Sequence, residues 1–307
     1  MRPSVHPLHH PDTGTWSYVV ADPQTGVAAI IDPVLDFEAK AARIATTSAQ
    51  ALLAIAGEHG YQVRWLLETH AHADHLSAAD WLKGELPGAV LAIGAGIRQV
   101  QATFAARLDP DGAIATDGSQ FDRLFADDEA FAIGSLQARA IPVPGHTRDS
   151  LAYLIGDALF TGDSLFMPDA GSARCDFPGG DAATLYRSIH RLYDSLPGDT
   201  RVFVCHDYGP GGRAAACETS IDEQRRSNIH LHDGIGEAEF VALRTARDAT
   251  LAMPALILPS LQVNLRGGAL RPCCMPGSAA SPGSAACSTR RSNNAAIAAG
   301  GSRSCSR

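Results

Sequence analysis

The segment Thr69-His70-Ala71-His72-Ala73-Asp74-His75 constrains this chain more than any other feature. Three imidazoles and a carboxylate fall within six residues, directly after the mostly apolar run Val63 to Glu68. Such crowding is unfavourable when every ring is protonated and favourable when a cation replaces the protons. An isolated cluster of this kind also suits a solvated polar turn. Here the strand-like run that feeds it, and the helix-like stretch Leu76 to Leu86 that follows, argue for a site anchored in a core.

Three more residues of the same chemical type stand at the ends of apolar runs. His146 lies in Pro142-Val143-Pro144-Gly145-His146-Thr147, Asp163 in Phe160-Thr161-Gly162-Asp163-Ser164, and His206 in Phe203-Val204-Cys205-His206-Asp207. A lone histidine is usually a satisfied core residue and a lone Gly-Asp usually a turn. Four separate sites with one placement are hard to explain that way.

Taken together, His-x-His-x-Asp-His, Pro-Gly-His-Thr, Thr-Gly-Asp and Cys-His-Asp-Tyr resemble the metallo-β-lactamase superfamily over roughly residues 5 to 266. The resemblance implies an α+β fold, an αββα four-layer sandwich with the metal at one edge of its two sheets. Within the superfamily the chain is most similar to persulfide (sulfur) dioxygenases. That likeness is carried by Ile31-Asp32-Pro33-Val34-Leu35, by Gly171 to Phe177, by Thr184 to His190, and by a segment around Glu223, Gln224, Arg225 and Asn228. It implies oxidation of the outer sulfur of glutathione persulfide by O2, giving sulfite and glutathione, in sulfide detoxification. Glyoxalase II shares the metal motif and implies the alternative, a zinc-dependent thioester hydrolase.

Two metal arrangements can be drawn from these residues. In one, a single Fe(II) takes His70, His146 and Asp163, and three coordination positions stay open for O2 and substrate. His72, Asp74, His75 and His206 then act around the ion, orienting ligands and hydrogen-bonding to what it binds. In the other, two Zn ions are held, one by His70, His72 and His146 and one by Asp74, His75 and His206, with Asp163 bridging; that site lowers the pKa of a bound water and suits hydrolysis. The resemblance favours one iron per chain. It also points to Arg174 as a partner for a glutathione carboxylate, against an ion pair with Asp176, and to Tyr208 as a residue lining the pocket.

The remaining composition bounds partners and place. A formal net charge of −8 argues against nucleic acid. No apolar run approaches the roughly 18 residues that span a bilayer, and no secretory signal opens the chain, so a cytoplasmic protein without a membrane partner is expected. Seven cysteines, an odd number, suggest no disulfide framework. A homodimer stays open.

Periodicity predicts a hairpin from Trp16–Ala21 and Val27–Asp32, a helix over Phe37–His59, and strands over Val63–Glu68 and Val90–Ile93. It predicts helices over Leu76–Leu86 and Ile97–Leu108, and then strands at 131–133, 136–142, 151–155 and 158–161. A helix over Ala182–Leu196 and a last strand over Val202–Cys205 follow, then helical stretches at 221–230 and 237–250. The catalytic domain is therefore read as 1–266, with a helical C-terminal part at 220–266. Residues 267–307, rich in Gly, Ala, Ser, Pro, Cys and Arg, are read as a disordered low-complexity tail.

Overall fold

The computed structural model describes residues 2–109, 112 and 114–270. Strands β1 (Ser4–His10), β2 (Thr15–Ala21), β3 (Val27–Ile31), β4 (Val34–Glu38) and β5 (Arg43–Ala45) lead to helix α1 (Thr47–Glu58). Next come β6 (Gln62–Leu67), β7 (Leu76–Ser77), α2 (Ala79–Glu85), β8 (Val90–Gly94), α3 (Ile97–Leu108) and β9 (Arg123–Phe125). The second half runs β10 (Glu129–Ile133), β11 (Leu136–Pro142), β12 (Leu151–Ile155), β13 (Ala158–Phe160), α4 (Ala182–Ser195) and β14 (Arg201–Phe203). It closes with β15 (Glu218–Ser220), α5 (Ile221–Ser227), α6 (Glu237–Asp248) and α7 (Ile257–Asn264).

Two six-stranded sheets form, in the orders β1-β2-β3-β6-β8-β9 and β10-β11-β12-β13-β14-β15, with a small third sheet β5-β4-β7 beside them. Alternation along each strand divides the core into three layers, because successive side chains point to opposite faces. Tyr18, Val20, Ala29 and Ile31 meet Phe131, Tyr153 and Phe160 between the two sheets. Val19, Ile30 and Leu66 instead pack outward on Leu52, Leu82 and Leu261 of α1, α2 and α7. On the other side Ile141 and Leu159 pack outward on Leu185, Ile189 and Phe240 of α4 and α6. Helices therefore cover both outer faces, and the architecture is the αββα sandwich expected from the motifs.

Several local expectations are corrected. The stretch Phe37–His59 is not one helix: Val34–Glu38 and Arg43–Ala45 pair as antiparallel strands, and the helix starts at Thr47. Leu76–Ser77 opens as strand rather than helix, because it pairs with Val34–Leu35. The strand at 201–203 is not the last, since Glu218–Ser220 adds to its edge. Helix α5 ends at Ser227, and α6 at Asp248. Strands β1 and β9 and helix α7 were not foreseen. Gly267 and Gly268, placed in the expected tail, are buried, and Gly268 N donates to Val263 O at 3.1 Å. The tail from 271 lies outside the described residues. Among the described residues no helix is long and apolar enough to cross a membrane.

Candidate metal centre

Every candidate ligand sits just beyond the C-terminal end of a strand. The loop after β6 carries His70 to His75, that after β11 carries His146, and those after β13 and β14 carry Asp163 and His206. Strands β13 and β14 are parallel with Phe160 opposite Phe203, so Asp163 and His206, each three residues on, emerge side by side. His206 Nε2 lies 3.2 Å from Asp163 Oδ1. Leu151 N donates to Thr69 O at 2.9 Å, which ties the histidine loop to the second sheet. Gly162 makes this approach feasible: its φ is +51°, and a Cβ there would stand 2.6 Å from Thr69 Oγ1.

Asp32 anchors the loop from beneath. Its carboxylate accepts from Thr69 N (2.7 Å) and from Thr69 Oγ1 (2.9 Å), and Oδ1 lies 3.0 Å from His72 Nε2. Asp149 Oδ2 accepts from Ala71 N at 2.8 Å. From the other end of the chain, Asn264 Nδ2 donates to His72 O and His75 O, each at 2.8 Å, and Ser77 N donates to Asn264 Oδ1 at 2.8 Å. His146 Nδ1 lies 2.7 Å from Arg174 O, which favours the proton on Nδ1 and leaves the Nε2 lone pair free to face Asp163.

The structure brings the seven sequence-derived candidates into one buried cluster. One ligand atom from each of His70, His146 and Asp163 lies within 4.8 Å of the others, and so does one from each of His72, Asp74, His75 and His206. His70 Nε2 and His146 Nε2 lie 3.6 and 3.7 Å from Asp163 Oδ2, and His206 Nε2 lies 3.0 Å from Asp74 Oδ2.

Several polar atoms of this cluster have no partner at all: His70 Nε2, His72 Nδ1 and His75 Nε2 are buried without a hydrogen bond, while His206 Nε2 faces only the carboxylates of Asp74 and Asp163. A buried unsatisfied polar atom costs about 1–3 kcal/mol. Three of them would offset a large part of the roughly 5–15 kcal/mol by which a domain is stable. A divalent cation accepts such lone pairs directly, so the residues present fit a metal.

The electrostatics agree. Burial, then neighbouring His72, pushes the His70 imidazole well below its ordinary pKa, and burial and His75 do the same to His72. Both are therefore neutral, the form that ligates. Burial alone would raise the Asp163 carboxyl, but His206 and His70 hold it below the usual range. Burial works against a charge on His206, yet Asp163 and Asp74 raise its pKa. The two carboxylates and the neutral imidazoles are thus in the forms that a cation binds.

A cavity of about 720 Å³ opens on one side of the cluster, lined among others by Asp74, His146, Asp163, Phe166 and Phe177. The structure separates the two candidate substrate contacts. Arg174 reaches the cavity wall, but Nε and Nη2 bind the Asp176 carboxylate at 2.6 and 2.7 Å and Nη1 binds Ala252 O at 2.7 Å. Its fork thus makes the Asp176 pair weighed above, and its contribution to His146 comes through its carbonyl. Tyr208 lies at the mouth, its ring stacked parallel to His206 with centroids 5.8 Å apart. Arg247 of α6, which also lines the cavity, makes no ion pair among the described residues. Sequence reasoning missed Arg247, Asp32 and Asn264. Asp32 was visible there only within the Ile31–Leu35 stretch that carries the family resemblance.

Comparison with known proteins supports the same family. The model of the metallo-beta-lactamase superfamily matches residues 10–206. A probable metallo-hydrolase of Burkholderia pseudomallei is 48% identical, covering 87% of this chain and 94% of that protein. Glyoxylase B2 of Dictyostelium discoideum is 48% identical over 85% of this chain and 89% of its own length. The human mitochondrial persulfide dioxygenase ETHE1 is 27% identical over 86% of this chain and 89% of its own. The crystal structure of ETHE1 from Myxococcus xanthus superposes with a TM-score of 0.69 at 28% identity, covering 87% of this chain and all of that one. With the fold, the ligand cluster and these likenesses in agreement, the chain belongs to the metallo-beta-lactamase superfamily.

Proposed function

We propose that the protein is a persulfide dioxygenase using one Fe(II) held by His70, His146 and Asp163. The substrate is glutathione persulfide, whose outer sulfur leaves as sulfite while glutathione is released. O2 supplies two of the sulfite oxygens and water the third. The observation that carries this reading is the placement of the cavity. Of the three residues, His146 and Asp163 line it, so an ion there faces a space large enough for a tripeptide thiol derivative. The likeness to ETHE1 supports the same chemistry.

When bound, the iron would supply the site where O2 and the persulfide sulfur meet. The chain's own residues do the rest. Phe166 and Phe177 line the cavity and exclude water from the reacting sulfur. Arg247, which has no ion pair among the described residues, offers its guanidinium to a substrate carboxylate, while Arg174, tied to Asp176, shapes the wall. His206, held between Asp163 and Asp74, is placed to hold a proton at Nε2 beside the centre.

A second reading rests on the grouping of His72, Asp74, His75 and His206, one ligand atom of each within 4.8 Å of the others, which would suit another ion with His72 on that side rather than beside His70 and His146 as the sequence suggested. It makes the protein a two-zinc thioester hydrolase, the kind of activity that relatives named metallo-hydrolase and glyoxylase suggest. Metal analysis of anaerobically purified protein, with O2 uptake on glutathione persulfide, separates the two. About one iron per chain and O2 consumption are expected. Two tightly bound zinc ions with O2-independent thioester cleavage would overturn the dioxygenase reading.

A further inference from the structure

A second, much smaller cavity, of about 10 Å³, lies behind the metal loop between α3 and α7. Chain neighbours of the candidate ligands make its inner wall. Ala71 lies between His70 and His72, Ala73 between His72 and Asp74, and Thr147 follows His146. Val100 of α3 and Leu261 of α7, both buried, close its sides. Phe104 and Ile257, from the same two helices, are only half-buried, so the cavity runs toward the surface there. Thr147 carries the one polar side chain of this lining, and its hydroxyl already lies 2.6 Å from Ser150 Oγ. An ordered water needs about two to four polar partners, so the space is dry. Both residues interposed among His70, His72 and Asp74 are alanine, and a longer side chain at either would fill it. Ala73 and Phe177 line this cavity and the large one alike, and the Phe177 ring stands edge-on to His146 with centroids 5.3 Å apart. One methyl group and one ring thus separate the dry cavity from the space in front of the metal centre.

We propose that this cavity is a dioxygen site, the inner end of an apolar route between α3 and α7 by which O2 reaches the centre while the persulfide fills the large cavity. The inference rests on the dioxygenase reading. O2 has no dipole and forms no strong hydrogen bond, so it moves from water into apolar space without losing polar partners, whereas water and glutathione are held back. A cavity of about one water-sized sphere admits a diatomic molecule and excludes a tripeptide. A substrate seated against His146 and Asp163 covers the approach from the large cavity. A second approach lets O2 arrive after the substrate, past the Phe177 ring.

Xenon and steady-state kinetics test the route. Xenon settles in dry apolar cavities, so in pressurised crystals of the full chain it should appear between Val100 and Leu261 and be lost from Val100→Phe, whose ring fills the space. In Val100→Phe, kcat/KM for O2 should fall about tenfold, while iron content and kcat/KM for glutathione persulfide at saturating O2 stay as in the native protein. Val100→Ala enlarges the cavity; it should bind xenon at least as well and keep its kcat/KM for O2, which separates a blocked route from a disturbed fold. No xenon in the native cavity, or an unchanged kcat/KM for O2 once Val100→Phe has displaced it, overturns the inference. So does an equal fall in both specificity constants, which reports a general disturbance. O2 uptake by the native protein without the expected Val100 pattern sinks this inference alone, whereas a native protein that consumes no O2 sinks the proposed function as well.

Discussion

Asn264 offers a sharp test of how the metal loop is held. It is the last residue of α7, at 5% exposure, and its amide makes three hydrogen bonds of 2.8 Å to His72 O, His75 O and Ser77 N. These clamp both ends of the segment that presents His72, Asp74 and His75. Asn264→Ala removes all three and leaves their partners buried. At about 1 kcal/mol per hydrogen bond the loss is about 3 kcal/mol, and more if no water enters. For a domain of this size that lowers Tm by roughly 6–12 °C, taking about 2–4 °C per kcal/mol. The loop also loses its fixed geometry, so affinity for metal should fall by about tenfold, as when a group supporting a ligand is removed. Leu258, on the exposed side of the same helix, is the control: Leu258→Ala should cost less than about 0.5 kcal/mol. Thermal unfolding of metal-free protein, paired with a metal titration, measures both effects. An Asn264→Ala protein melting within about 2 °C of the native one, or binding metal equally well, would refute the clamp.

Other outcomes follow from the same structure. If one iron sits on His70, His146 and Asp163, His70→Ala and His146→Ala should lose most metal, while His75→Ala keeps it and turns over roughly 10–100-fold more slowly; equal metal loss in all three would point to two ions. Arg247→Ala should raise KM for glutathione persulfide about tenfold with little change in kcat, because a carboxylate contact away from the sulfur acts equally on ground and transition states. Arg174→Ala should lower Tm more than it raises KM, and the reverse pattern would return the carboxylate to Arg174. Burial pushes the His230 imidazole down to about 4, and its Nδ1 accepts from Ser172 N at 3.0 Å. The unfolded chain then binds more protons than the folded one between about pH 6.5 and 4, so stability is full above that window and falls as pH drops through it. Lowering pH from 6.5 to 5 should cost about 2 kcal/mol through this residue. Urea unfolding at both pH values should show that increment shrinking in His230→Gln, and an unchanged pH slope would count against it.

Much of the site was legible before any coordinates. His70, His146, Asp163 and His206 each follow an apolar run, and in a sandwich of this kind strand ends are where loops can converge. The histidine-rich loop could be assigned because four ligand-type residues within six have few other uses. Helices α3 and α4 were bounded closely because their apolar spacing is regular. The stretch from Phe37 was misread because Ala-rich segments with a few apolar residues satisfy helical and extended periods alike. Its strands exist through pairing of Asp36 with Ala45 and of Leu35 with Leu76.

What the sequence alone determined was the inventory of candidate ligands, the alternation that sorts side chains into three core layers, and the family. These depend on residue type and on spacing along one strand or helix, which are local properties. The tertiary structure decided how the parts meet. It put Asn264 under a loop nearly two hundred residues earlier, gave the Arg174 fork to Asp176 and left Arg247 open on the cavity wall. Each of these depends on a register or a packing angle between distant segments, and those follow from the summed free energy of the whole core, which no single stretch of chain encodes.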